Sequence, residues 1–210
     1  MIKYLTIILI IGVYLCIHAY LNQLAQSNGE RYYNKRIAEN KVTPKVYDIM
    51  HENLPYWKNN DWLNNLIGAL TLIPLIYTNN PELYFDFASL LLIVNIIRDI
   101  TINLTILPKE EECKLSDRSY LYSTLLGACY DKIFSGHFAF VFLLTLLYNS
   151  YNIITNMPMI ILWNIINALS ILVIHSHYTI DIVMSFFVCM TVYNEYMKNH
   201  FTLDQVLDFF

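Results

Sequence analysis

Six apolar stretches, each at or near the length a helix needs to cross a hydrocarbon core, fix most of what this chain can become. Crossing takes roughly 17 to 25 mostly apolar residues in helical form. The runs 4–21, 62–77, 84–107, 136–148, 157–174 and 178–197 meet or approach that length. With 56% of its 210 residues hydrophobic and 14% charged, the chain is too apolar for an ordinary water-soluble domain. The expectation is therefore an all-α polytopic membrane protein, with six transmembrane helices in one domain over 1–210. Its two polar loops are 22–61 and 108–135.

The punctuation agrees with these spans. Pro44 and Pro55 interrupt any long helix in the first loop, which reads as an ordered segment, with room for a short helix along the membrane surface. Asn79-Asn80-Pro81 is a turn signal between the second and third spans, and Pro108 stops the third. Lys3, with Ala19 and Ala25 beyond the first apolar run, also fits a cleavable signal peptide, the rival reading of that run. A net charge of −4 and no basic stripe exclude nucleic acid as a partner.

Six spans place the loops 22–61 and 108–135 and the turn 175–178 on one face of the membrane. Ten of the thirteen Lys and Arg residues fall on that face, so the positive-inside rule by itself makes it cytoplasmic. Cys16 and Cys189 lie in apolar runs and read as buried hydrophobes. Cys113 and Cys129 share one polar loop and can pair if it meets an oxidising compartment. The Glu110-Glu111-Glu112 run reads as solvated loop.

Three polar clusters converge on this face. Arg98 and Asp99 lie inside the third span, where a guanidinium costs about 2.5 to 3.5 kcal/mol on insertion scales and needs a polar cavity and a partner. The plain alternative is that Arg98 neutralises Asp99 or snorkels to the surface. The second cluster runs from Cys129 through Asp131 to Ser135-Gly136-His137, at the entrance to the fourth span. There a glycine permits close approach to a ligand, and helix-start amides offer an anion site. A helix-capping serine explains Ser135 equally well. The third is His175-Ser176-His177-Tyr178-Thr179-Ile180-Asp181. Positions i and i+4 share a helical face, so Asp181 can hold one ring nitrogen of His177 and leave the other to attack. Zinc ligation by His137, His175, His177 and Asp181 is a weaker reading, because residues two apart point to different sides of a helix.

Taken together, Arg98-Asp-Ile-Thr-Ile-Asn-Leu-Thr-Ile-Leu-Pro108, Cys129-x-Asp131-x-x-aromatic-Ser135-Gly136-His137 and His175-x-His177-Tyr-Thr-Ile-Asp181 resemble the sphingomyelin synthase branch of the type 2 phosphatidic acid phosphatase superfamily. The resemblance spans about 44–190. Pro44-Lys-Val-Tyr-Asp48 is loosely similar to the Pro-Leu-Pro-Asp element of that branch, and Tyr130 stands where it usually has glycine.

The resemblance implies a head-group phosphotransferase that needs no metal or organic cofactor. It would take a phospholipid donor, phosphatidylcholine or phosphatidylethanolamine, and pass the head group to ceramide, releasing diacylglycerol. His137, His177 and Asp181 would be catalytic, with Arg98, Ser135 and Gly136 holding the phosphate and Asp131 and Asp48 in secondary roles. It further implies a multi-pass protein of an endomembrane or the plasma membrane, open to homo-oligomerisation, and a Cys113–Cys129 disulfide. The catalytic face would be luminal or extracellular, against the charge count. A lipid phosphate phosphatase using water as acceptor is the alternative, although Phe134 and Ile171 replace residues that the phosphatase motifs carry. A lipid-binding membrane protein without turnover is the second alternative.

Overall fold

A computed structural model of the chain describes residues 2–41, 46–58, 60–108, 129–200 and 205, and the described residues form helices and no strands. The helices are α1 (Ile2–Ala38), α2 (Ile49–Asn53), α3 (Trp62–Tyr77), α4 (Pro81–Leu104), α5 (Gly136–Ser150), α6 (Met157–Val173) and α7 (Thr179–Lys198). The expected runs reappear within three residues at each end, except that α1 continues to Ala38, well into the stretch expected to be loop. No proline interrupts that stretch before residue 44, so the ladder simply continues.

Caps set the helix starts. The Asn80 side chain accepts from the amides of Glu82 and Leu83, and Pro81 occupies the first turn, where a missing N–H costs nothing. The Asn156 side chain accepts from the Met159 amide at the start of α6.

The centre of the bundle is α5, packed on α3, α4, α6 and α7, while α1 lies outside against α4. Its sequence explains the place. It is apolar on all sides, and Phe138, Val141, Leu143, Leu144, Leu147 and Tyr148 are all buried. Polar side chains tie neighbours to this core. The Tyr148 hydroxyl donates to Thr71 O at 2.6 Å and accepts from Leu75 N at 3.0 Å, inserting itself into the α3 backbone ladder one turn before Thr78. Asn164 bonds Thr145, and Ser170 bonds Asn64. At one end, the buried carboxylate of Asp86 accepts from Tyr151, Tyr196 and His200. The other end, where α4 finishes and α5 and α7 begin, holds the three clusters read in the sequence.

By length and apolarity α4 is long enough to cross a membrane, while α3, α5 and α6 are apolar but shorter. Large apolar side chains nevertheless face outward along α3, α6 and α7, among them Ile73, Ile76, Leu162, Ile165, Val183 and Phe187.

Candidate active site

Arg98 and Asp99 are adjacent on α4 and point different ways, so neither neutralises the other. The buried guanidinium of Arg98 reaches the loop before α5. Its Nη2 lies 2.6 Å from Asp131 Oδ2 and 3.2 Å from Asp131 O, and its Nε donates to Phe134 O at 3.2 Å. Asp99 instead accepts from His18 of α1 at 2.8 Å, and His18 in turn accepts from Asn22 at 3.0 Å. Snorkelling is excluded as well, since Arg98 is 5% exposed. Burial would raise the Asp131 carboxyl, but Arg98, then His177 and Lys132, outweigh it and hold the group down at about 2. Arg98 is thus first a strut that shapes the loop. These bonds use Nε and Nη2, and no acceptor for Nη1 is seen among the described residues.

That loop delivers the start of α5. Ser135 is its N-cap, with Oγ accepting from the Phe138 amide at 3.3 Å. Its own amide donates to Asp181 O at 3.4 Å, and its carbonyl accepts from Ser185 Oγ at 3.0 Å. Ser135 is therefore a joint between α5 and α7. Gly136 follows immediately, and a Cβ there would lie 3.5 Å from Arg98 Nε, so the glycine puts the helix start directly on the guanidinium. The first-turn amides at Gly136 and His137 point out along the axis of α5, as at any helix start. His137 is half-buried on that turn.

His177 stands on a short turn between α6 and α7 and is fixed from several sides. The end of α6 closes with Ser176 N donating to Ile171 O and His175 N to Leu172 O, and His175 takes a left-handed φ of 54°. The start of α7 is capped by Asp181, whose Oδ2 accepts from Tyr178 N at 2.9 Å. The His177 carbonyl accepts from His51 Nε2 of α2 at 3.0 Å. Its ring nitrogen Nδ1 lies 2.9 Å from Lys132 O and 3.3 Å from Asp181 Oδ2. A carbonyl can only accept, so Nδ1 carries a proton, and in the neutral ring Nε2 holds the lone pair. The orienting carboxylate expected from the i, i+4 spacing is present, but the shorter contact comes from a backbone carbonyl that no motif announces.

Asp48 belongs to the same assembly. Its carboxylate accepts from the amides of Met50 and His51, capping α2, and from Thr179 N at 2.6 Å and Thr179 Oγ1 at 2.7 Å, gripping the first residue of α7. Burial raises this carboxyl, but the bonds from Thr179 and His51 hold it lower than usual. His51 also stacks on His175, with ring centres 3.9 Å apart, and the Tyr56 ring lies 4.5 Å from His175.

The structure thus joins Arg98, Asp131, Ser135 and Gly136 in one group and His177, Asp181 and Asp48 in a second. Consecutive residues Asp131 and Lys132 link the two. Lys132, 4% exposed, was not singled out from sequence, although a lysine among apolar neighbours was a signal to follow. His18, the one histidine or charged residue between Lys3 and Glu30, was another. Cys129 is disulfide-bonded, while Cys113 lies outside the described residues, as do Lys109 and the glutamate run.

Residues 128–200 match the family model described as PAP2 superfamily C-terminal. The matched segment contains Asp131, Ser135, Gly136, His137, His177 and Asp181, and it supports placing the chain in the PAP2 superfamily, whose chemistry is that of phosphatases and phosphotransferases. No curated protein matches the chain.

Proposed function

We propose that this chain is a multi-pass membrane enzyme that moves a phospholipid head group onto a lipid hydroxyl, as sphingomyelin synthases do, through a phosphohistidine-type intermediate on His177. The observation that carries this reading is the contact of His177 Nδ1 with Lys132 O and Asp181, which calls for the ring proton on Nδ1 and leaves Nε2 as the nucleophile. In the first step Nε2 attacks the phosphorus of phosphatidylcholine or phosphatidylethanolamine. The bond to the glyceride oxygen breaks, and His137 gives that oxygen a proton, so diacylglycerol leaves as a neutral alcohol. In the second step His137 takes the proton from the primary hydroxyl of ceramide. The ceramide oxygen bonds to phosphorus as the N–P bond breaks, and His177 is restored. Arg98 Nη1 and the first-turn amides of α5 take up the charge on the phosphoryl oxygens.

The same residues would release phosphate if water replaced ceramide. The Phe134 and Ile171 departures from phosphatase motifs favour the lipid acceptor. A luminal or extracellular site is supported by the disulfide at Cys129, since such bonds persist in oxidising compartments. The test is to express the chain in liposomes with fluorescent ceramide and either donor. A labelled phosphosphingolipid, absent with His177→Ala, is the expected product. Free phosphate released from phosphatidic acid would move the assignment to the phosphatase. A lipid-dependent function that survives His177→Ala would make the chain a binding protein.

A further inference from the structure

Nothing in the motifs assigns a role to Lys132, the residue between Asp131 and the helix start that carries His137. Its ammonium is almost wholly buried, and such a group is expensive to desolvate without dedicated partners. The adjacent carboxylate, Asp131, pairs with Arg98 at 2.6 Å and also feels the charge of Lys132. The Lys132 ammonium donates to Ser176 O at 2.5 Å. Ser176 closes the end of α6, where backbone carbonyls converge and a cation is favoured. The next residue is His177, and its Nδ1 lies 2.9 Å from the carbonyl of the same Lys132.

One residue therefore grips two consecutive positions of the turn, Ser176 by its side chain and His177 by its backbone. We propose that Lys132 is a positioning residue, whose two-point clamp between the Asp131–Ser135 loop and the 175–178 turn sets the direction and the tautomer of the His177 ring. The role rests on the reading of His177 as nucleophile. The rest of the surroundings fit a clamp. Asp181 holds Tyr178 N and the His177 ring from the α7 side, and His51 holds the His177 carbonyl from α2. On the loop side, Lys132 reaches the turn with both its side chain and its carbonyl. The Arg98–Asp131 pair stiffens the platform from which it reaches, so the phosphate arginine and the nucleophile are set in register by adjacent residues.

The variant Lys132→Met keeps the carbonyl and the length of the side chain but removes the cation. In the full chain in nanodiscs, kcat should fall about 10- to 100-fold, the size usual for outer residues that orient a reacting group, with KM within about twofold of wild type. Lys132→Arg, which can still donate to Ser176 O, should recover most of the loss. Hydrogen exchange of full-length protein should quicken at residues 175–178 in Lys132→Met and stay near wild type in Lys132→Arg. A kcat within twofold of wild type in Lys132→Met would overturn the proposal. So would a raised KM at unchanged kcat, which would make the lysine a substrate contact. Unchanged exchange at 175–178 would overturn it even in protein without turnover. Failure of the transferase reading looks different: wild type and His177→Ala are then equally inactive, while exchange still reports on the clamp.

Discussion

The pair formed by Arg98 and Asp131 ties the end of α4 to the loop that delivers α5. Both are buried and 33 positions apart, and the guanidinium also holds two carbonyls of the loop it meets. Removing one partner of such a pair leaves an uncompensated buried charge, at a cost of about 3 to 5 kcal/mol. Asp131→Asn should therefore lower the midpoint of thermal unfolding in detergent and abolish turnover together. The acid dependence has a definite sign. Because the folded-state carboxyl is depressed from 3.8 to about 2, its contribution is complete above the unfolded value and is lost as pH falls from about 4 toward 2. Wild type should lose stability through that window, and Asp131→Asn should lack this part of the loss. Arg98 stood out in the sequence because it breaks an apolar run where ionisable groups are costly, and His177 and Asp181 stood out by their i, i+4 spacing. The partner of Arg98 was not legible. Adjacent residues on a helix face different ways, so Asp99 was the wrong acid for Arg98, and sequence holds no record of which distant acid folds back.

At the scale of elements, the site is a meeting of helix ends. α3 to α7 were legible from apolar length and turn residues and α2 only as room for a short helix in the first loop, whereas the extension of α1 to Ala38 was not, because a polar stretch has no apolar period to betray it. Asp48 is the bolt between two of these ends. Its carboxylate satisfies donors from Met50, His51 and Thr179, and Asp48→Ala should cost about 1 to 3 kcal/mol by leaving them without an acceptor. The loss should appear as a lower unfolding midpoint, with faster hydrogen exchange in α2 and at the start of α7. Further along, Gly29 of α1 carries the ring of Tyr130. A Cβ at Gly29 would lie 2.4 Å from Tyr130 Cγ, and the ring also stacks on Tyr33. The glycine on α1 is thus what leaves room for the Tyr130 ring. Gly29→Ala should destabilise by about 1 to 3 kcal/mol through overpacking. The double variant with Tyr130→Gly should lose less than the two singles added, a coupling that a double-mutant cycle of unfolding midpoints can read.

For the whole molecule the open physical question is what surrounds it. A helix rises 1.5 Å per residue, so the 16 residues of α3 and 17 of α6 span about 24 to 26 Å, short of an average hydrocarbon core of about 30 Å and nearer to a thin one of about 27 Å. Their outward faces argue for lipid all the same. On α6 the side chains of Ile161, Leu162, Ile165 and Leu169 are exposed, while Asn164, Asn167 and Ser170 are turned inward. A water-soluble helix has that pattern reversed. Ile165 lies midway along α6 and is 50% exposed, which makes it a probe of the solvent. If water bathes this face, Ile165→Lys should change stability by no more than about 0.5 kcal/mol. If acyl chains bathe it, the ammonium should cost about 2.5 to 3.5 kcal/mol in helix insertion. An insertion assay with glycosylation tags on either side of α6 reads the second outcome as a drop in the crossing fraction, and the same tags report which face carries His177. We expect the drop, together with a tag beside the 175–178 turn that is glycosylated from the lumen. A tag modified only on the far side of α6 would leave the histidine facing the cytoplasm, in agreement with the lysine and arginine count and against the oxidising compartment that a disulfide at Cys129 favours.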